Sequence, residues 1–253
     1  MNNNSWKAIF EKYGIHKHRF VSSPFIITAE QIKQATSHFK KTNEKEVRIL
    51  CKQDTREDRP DVFIENDVFL LPIKNGTYAI VKGEGYIDIP EITETAKVYS
   101  SKLDFNLDTS LIGNSEMQHL DFAYASSLIR TFLNDDSLVL TIRGRKFTPK
   151  FEFFVAKQKL SVESVQTEVD AGYEGENLVT LIEAKNSQTS NTIIRQLFYP
   201  FRQWSHYTSK KVKTLFFEKR HQYYSLWDFE FLDKNDYNSI SLMNTQRFEI
   251  VKK

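Results

Sequence analysis

A single cysteine, Cys51, excludes an internal disulfide framework and a multi-cysteine zinc site. Eight glycines and six prolines in 253 residues are too few for low-complexity or extended disordered sequence. Long apolar runs are also missing. Val68 to Ile73 and Leu178 to Ile182 are strand-sized, far short of the roughly 20 residues that span a bilayer, so no membrane segment is expected. The start, Met1-Asn2-Asn3-Asn4-Ser5-Trp6-Lys7, lacks the basic end and apolar centre of a secretory signal, and a cytoplasmic location is the expectation. No GxxxxGK[ST] or GxGxxG is found, and Lys82-Gly83-Glu84-Gly85 continues wrongly for a phosphate loop, so no nucleotide cofactor is expected. Six scattered histidines, with His16 and His18 the nearest to a pair, make no zinc site.

What is present is a globular composition: 40% hydrophobic residues, with 20 Phe and 11 Tyr, enough for one large domain or two small ones. Trp6, Ile9, Phe10 and Tyr13 keep helical spacing. Thr28 and Gln31 form a capping-box pattern opening a helix to about Phe39. Short β-prone runs follow at Val47 to Cys51, Val62 to Ile64, Val68 to Pro72, Thr77 to Val81 and Tyr86 to Ile89. The pattern then weakens, which sets a boundary near Tyr99, between an N-terminal α+β domain (1–100) and a second domain (101–253). In the second, Ser115 to Leu133 reads as one long helix, Ser137 to Ile142 and Phe151 to Val155 as strands around a basic turn, and Val162 to Asp170 and Leu178 to Glu183 as strands. Thr192 to Trp204 reads as a helix kinked at Pro200. Strands Val212 to Phe217 and Tyr223 to Phe231 and a final strand pair complete it. The expected fold class is α/β (α+β), a mixed central sheet flanked by helices.

The net charge of +2 says little about partners, but basic residues cluster locally. His16 to Arg19, Arg143-Gly144-Arg145-Lys146 and Lys210 to His221 are candidate phosphate-contacting surfaces.

The segment from Glu168 to Lys185 carries chemistry. Asp170 ends one strand, Gly172 to Asn177 makes a turn, and Glu183 and Lys185, two apart on the next strand, share a face by period-2 alternation. If Asp170 reaches that face, two carboxylates a few ångströms apart repel by about 4 kcal/mol at an effective dielectric near 20. Their oxygens and the carbonyl of Ala184 make a hard-oxygen donor set suited to Mg²⁺. Lys185 is then placed to orient or deprotonate an attacking water and to neutralise charge on a phosphate. Glu183-Ala184-Lys185 is the one acid-x-Lys triplet in the chain.

This segment resembles the motif of the PD-(D/E)XK nuclease superfamily, and the stretch from Asn114 to Ile250 is similar to type II restriction endonucleases. The resemblance implies metal binding and water activation by Asp170, Glu183 and Lys185, a double-stranded DNA substrate, and a homodimer. Val169 stands where the motif has Pro. Glu116 is the candidate for the additional acid that many members carry on the helix before the core sheet. Arg195-Gln196-Leu197-Phe198-Tyr199 resembles the Gln and Tyr helix motif of RecB-like nucleases, which makes Arg195, Gln196 and Tyr199 candidate DNA contacts beside Arg143, Arg145 and Lys146. A repair or junction nuclease of the same core, and a DNA-binding protein with a dead core, are the alternatives.

Overall fold

A computed structural model describes residues 2–251. The chain begins with helix α1 (Asn3–Tyr13), stopped by Gly14 in the left-handed conformation. Strand β1 (Phe25–Thr28) runs into α2 (Ala29–Thr36) through the expected capping box: the Gln31 amide donates to Thr28 Oγ1 at 3.2 Å and the Thr28 amide to Gln31 Oε1 at 2.8 Å. Three short helices follow, α3 (Thr42–Lys45), α4 (Val47–Leu50) and α5 (Asp61–Glu65). Two of them correct the reading of Val47 to Cys51 and Val62 to Ile64 as strands. Val47 and Leu50, three apart, are buried while Arg48 and Ile49 are exposed, a helical period that four residues are too few to declare. Pro60 precedes α5, with Asp61 in its first turn, the usual opening of a helix.

Strands β2 (Val68–Lys74) and β3 (Thr77–Lys82) form a hairpin that pairs with β1 in a three-stranded sheet. Val68, Leu70 and Ile80 face a core with α1 and α2, whereas Phe69, Leu71, Ala79 and Val81 face the core of the remaining chain. Both faces of the β2–β3 hairpin are therefore covered, whereas Ile26 on the edge strand β1 stays exposed.

The rest is built on a seven-stranded mixed sheet. Its members are β5 (Lys97–Ser100), β6 (Val139–Phe147), β9 (Gln166–Glu174), β10 (Leu178–Lys185), β12 (Lys211–Arg220), β13 (Tyr223–Phe231) and β14 (Ile240–Val251), in the order β5-β14-β13-β12-β10-β9-β6. β10 and β12 are parallel and joined through helix α8 (Arg195–Tyr207). β4 (Tyr86–Asp88) pairs with β11 (Asn191–Ile193), and β7 (Phe151–Val155) with β8 (Gln158–Val162). Helices α6 (Glu116–Ala125) and α7 (Leu128–Leu133) cover one sheet face through Leu120, Ala123, Leu128 and Ile129. α8 covers the other through Leu197, Phe198 and Tyr199. The expected mixed sheet flanked by helices is what forms.

Several finer expectations are corrected. The single helix expected over Ser115 to Leu133 breaks at Ser126 and Ser127, where Ser127 takes φ 64° and its amide turns back to the Tyr124 carbonyl at 2.9 Å. The basic turn at Arg143 to Lys146 is strand, accommodated by Gly144 at φ 83° and a register shift. β9 continues to Glu174, leaving Gly175 to Asn177 as the turn. The final strand pair is one strand, β14. Tyr99, set at the domain boundary, lies inside β5. Among the described residues no helix is long and apolar enough to cross a membrane.

Candidate active site

β9 and β10 run antiparallel from Glu174/Val179 to Ala171/Ile182, and there the pairing stops. Just at that point β9 is irregular: Gly172 stands opposite Ile142 and Val169 opposite Gly144, so three steps on β9 match two on β6. This bulge reverses the alternation, with Val169 packing in the core under α8 and Ala171 in the core under α6. A bulge re-aims the side chain beside it, and here that side chain is Asp170. Gly172 is required for the close approach of the strands, because a Cβ would lie 2.6 Å from that of Ile142.

On β10, Val179 and Leu181 pack under α8, and Ile182 and Ala184 under α6. Glu183 and Lys185 therefore continue the α8 side, as alternation requires. Lys185 Nζ donates to Glu183 Oε1 at 2.5 Å, and the Ala184 amide donates to Asp170 Oδ2 at 2.8 Å. The Gly175 amide donates to the Leu178 carbonyl, so even-numbered residues of β10 turn their backbone groups toward β9. The Ala184 carbonyl leaves on the same edge as its amide, beyond the end of the ladder.

Three charges at the margin of a core shift one another. Burial pushes the Glu183 carboxyl up to about 7, helped by Asp170 and opposed by Lys185. Burial also raises Asp170, against the pull of the Ala184 amide and Lys185. Burial alone would lower Lys185, but Glu183 outweighs it and holds the ammonium above its ordinary value. Asp170 and Glu183 each have one oxygen engaged by these bonds, which leaves the second oxygen of each, with the Ala184 carbonyl, as hard donors. Among the described residues no three His, Cys, Asp or Glu side chains form a metal cage. Mg²⁺, which takes one or two carboxylates and completes its shell with water and phosphate oxygens, fits such a sparse set.

These residues lie in a cleft of about 760 Å³ lined also by Glu116, Arg145, Arg195 and Gln196. Glu116 opens α6 next to its cap Ser115, and its charge helps hold Lys185 up. The Asn186 side chain donates to the Asn114 carbonyl at 2.8 Å, which ties the end of β10 to the approach of α6. Arg195 pairs with Asp54 at 3.7 Å, and Gln196 accepts from Thr192 at 2.7 Å. Arg145 pairs with Glu168 at 3.1 Å. Two expected contacts are placed elsewhere. Arg143 is an exposed ion-pair partner of Asp121 on α6, and Lys146 stands 5.9 Å over the Trp204 ring. Tyr199 requires a correction: it is fully buried, its hydroxyl donating to the Pro72 carbonyl at 2.9 Å, so it anchors α8 to the N-terminal sheet and presents nothing to a ligand. In the basic run from Lys210, Lys211 pairs with Glu230 and Lys213 with Asp228.

Sequence reasoning missed the opposite wall, formed by Arg48, Lys52 and Asp54. This segment is fastened to β11, where the Ile193 amide donates to the Asp54 carbonyl at 2.8 Å. Asn191, buried, accepts from the Arg56 amide at 2.7 Å and donates to both oxygens of Glu57. Arg48 lies on α4 and Lys52 beyond the end of that helix, so no regular spacing links the two.

Comparison with curated proteins finds no match, and comparison with solved structures finds none. Residues 3–80 match the family described as a domain of unknown function, DUF6996. Residues 81–249, carrying every acid and base on the sheet side of the cleft, match the domain of unknown function DUF6997, and the chain belongs to that family.

Proposed function

We propose that the protein is a metal-dependent DNA endonuclease with a PD-(D/E)XK core, sequence-specific in the manner of type II restriction enzymes. The observation that carries this reading is the convergence of Asp170, Glu183 and Lys185 where β9 and β10 part, in a cleft with cations on both walls.

Asp170, Glu183 and the Ala184 carbonyl would hold Mg²⁺, which when bound neutralises phosphate charge and acidifies water. Lys185, kept protonated by Glu183, acts as a hydrogen-bond donor to the phosphate and orients the water that attacks it. Water adds to phosphorus, one P–O ester bond breaks, and the departing alcohol takes up a proton, with no covalent enzyme intermediate. Arg48, Lys52, Arg145 and Arg195 supply backbone contacts to double-stranded DNA. A homodimer suits this reading, since two-fold symmetry matches a palindromic site and two centres cut two strands. The N-terminal region serves as the clamp opposite the acids. Residence beside DNA in the cytoplasm agrees with the single Cys51.

The test is incubation with unmethylated phage DNA in Mg²⁺ or EDTA. Discrete fragments, lost in EDTA and in Lys185→Ala, are expected. Intact DNA across several substrates would overturn the reading.

A further inference from the structure

One cation of the basic run from Lys210 stands alone. Leu215 and Phe217 pack under α6, and Lys219 follows them on the same side of β12 by alternation. It is half-buried, with its ammonium 4.9 Å over the Tyr224 ring and donating to the His221 carbonyl. Among the described residues it makes no ion pair, and burial lowers it with no acid to hold it up. Its charge reaches α6, where it adds to the burial that lowers His119. A partly desolvated ammonium without an anion is unfavourable. Lys219 lines a hollow of about 390 Å³ whose walls are otherwise mostly carbon, from Leu103, Phe105, Phe122, Tyr224 and Ile250. Phe105 is 63% exposed, an apolar ring left for a guest to cover. The Tyr224 hydroxyl makes no hydrogen bond among the described residues, and it is not among the atoms sealed from solvent. Asp104 also lines the hollow, but it is exposed and makes no ion pair with Lys219.

We propose that this hollow binds a small amphipathic carboxylate, its apolar body against Phe122 and Ile250 and its head on the Lys219 ammonium and the Tyr224 hydroxyl. Ligand pockets are built in this way, with apolar walls and a few polar groups that fix orientation, and the volume lies within their range. The ammonium spends one of its three donors on the His221 carbonyl, which leaves two for an anion. Hydrogen bonds from a charged donor to a charged acceptor are the strong ones, so the head decides affinity and the chain decides fit. The site is separate from the nuclease reading: no residue of the hollow lines the cleft, and α6 stands between them with Glu116 and Met117 in the one and Phe122 in the other.

Isothermal titration calorimetry with sodium octanoate and with 1-octanol, which share a chain and differ in the head, tests it. The wild-type protein is expected to bind octanoate saturably and octanol roughly tenfold more weakly. Lys219→Met, which keeps the bulk and loses the charge, is expected to bind the two alike, and Lys219→Arg to keep the preference. Because Lys219 holds no ion pair, the melting temperature of Lys219→Met should stay close to that of the wild type. Equal binding of octanoate and octanol by the wild type, binding of neither, a preference that survives in Lys219→Met or one that is lost in Lys219→Arg overturns the site. So does sedimentation as a dimer that Phe105→Asp breaks, since a second copy of the chain would then fill the hollow.

Discussion

The amide of Ala184 donates to Asp170 Oδ2 at 2.8 Å, so a backbone group of one strand aims a carboxylate of its neighbour at the point where the two strands separate. Asp170 is oriented by the sheet itself, and Lys185 by Glu183.

Replacing either partner of this arrangement should stop catalysis without unfolding the chain. Asp170→Asn keeps an oxygen for the Ala184 amide, and Lys185→Ala removes a largely buried cation. Each is expected to lower Mg²⁺-dependent cleavage by about 10² to 10³-fold, read as initial rates on plasmid DNA. Unchanged rates in both would mean that the cleft does not perform hydrolysis.

The raised Glu183 carboxyl makes a pH signature. Between its ordinary value of 4.5 and about 7, the unfolded chain gives up this proton while the folded protein keeps it, so stability falls as pH rises through that window. Asp170, also raised, acts in the same direction. In metal-free buffer the melting temperature of the wild type should drop from pH 5 to pH 8, and Glu183→Gln should flatten the drop. Because a bound cation displaces the proton, Mg²⁺ should raise the melting temperature more at pH 8 than at pH 6. A Mg²⁺ shift independent of pH would contradict this.

How much of this was legible before the fold was known depends on the type of pattern. Glu183 and Lys185 could be placed on one face because strand alternation is a local rule, and the Thr28 capping box because its partners are three residues apart. Asp170 could be named, but the bulge that aims it depends on β6, which lies remote in sequence and shows no local sign. Arg48 was hidden because four apolar-polar residues fit a strand as well as a helical turn, and Lys52 and Asp54 because they lie in the irregular stretch after it, where no period applies. Tyr199 shared a helical face with Gln196, and spacing alone cannot say which of two neighbours the core will take.

Gly172→Ala should be costly beyond its size. The added methyl meets Ile142 at 2.6 Å, and overpacking of this kind costs about 1–3 kcal/mol. A lower melting temperature is expected, restored in part by Ile142→Gly, which removes the clashing Cβ, in the double variant. An additive double variant would show that the two do not compete for the same space.

Asn191→Ala should loosen the wall opposite the acids. It takes the partner from the Arg56 amide, a partly buried bond, at about 1 kcal/mol, while the exposed Glu57 carboxylate turns to water. Faster amide hydrogen exchange over residues 53–58, compared with residues 178–185, is the expected readout.

Tyr199→Phe separates packing from recognition. Loss of the bond to Pro72 should cost about 1 kcal/mol and leave DNA affinity unchanged in anisotropy. Weaker DNA binding at equal stability would return Tyr199 to the recognition surface.

The three-stranded sheet β1-β3-β2 has consequences for how the cleft is made. With Leu70 and Ile80 sealed on one side and Phe69 and Val81 on the other, its β2–β3 hairpin behaves as a rivet through two plates. The distance between the jaws is thus a property set at folding, like the gap of a fixed gauge. On the nuclease reading, DNA would enter by being narrow enough or by deforming to fit, and selection would fall on the suppleness of the guest.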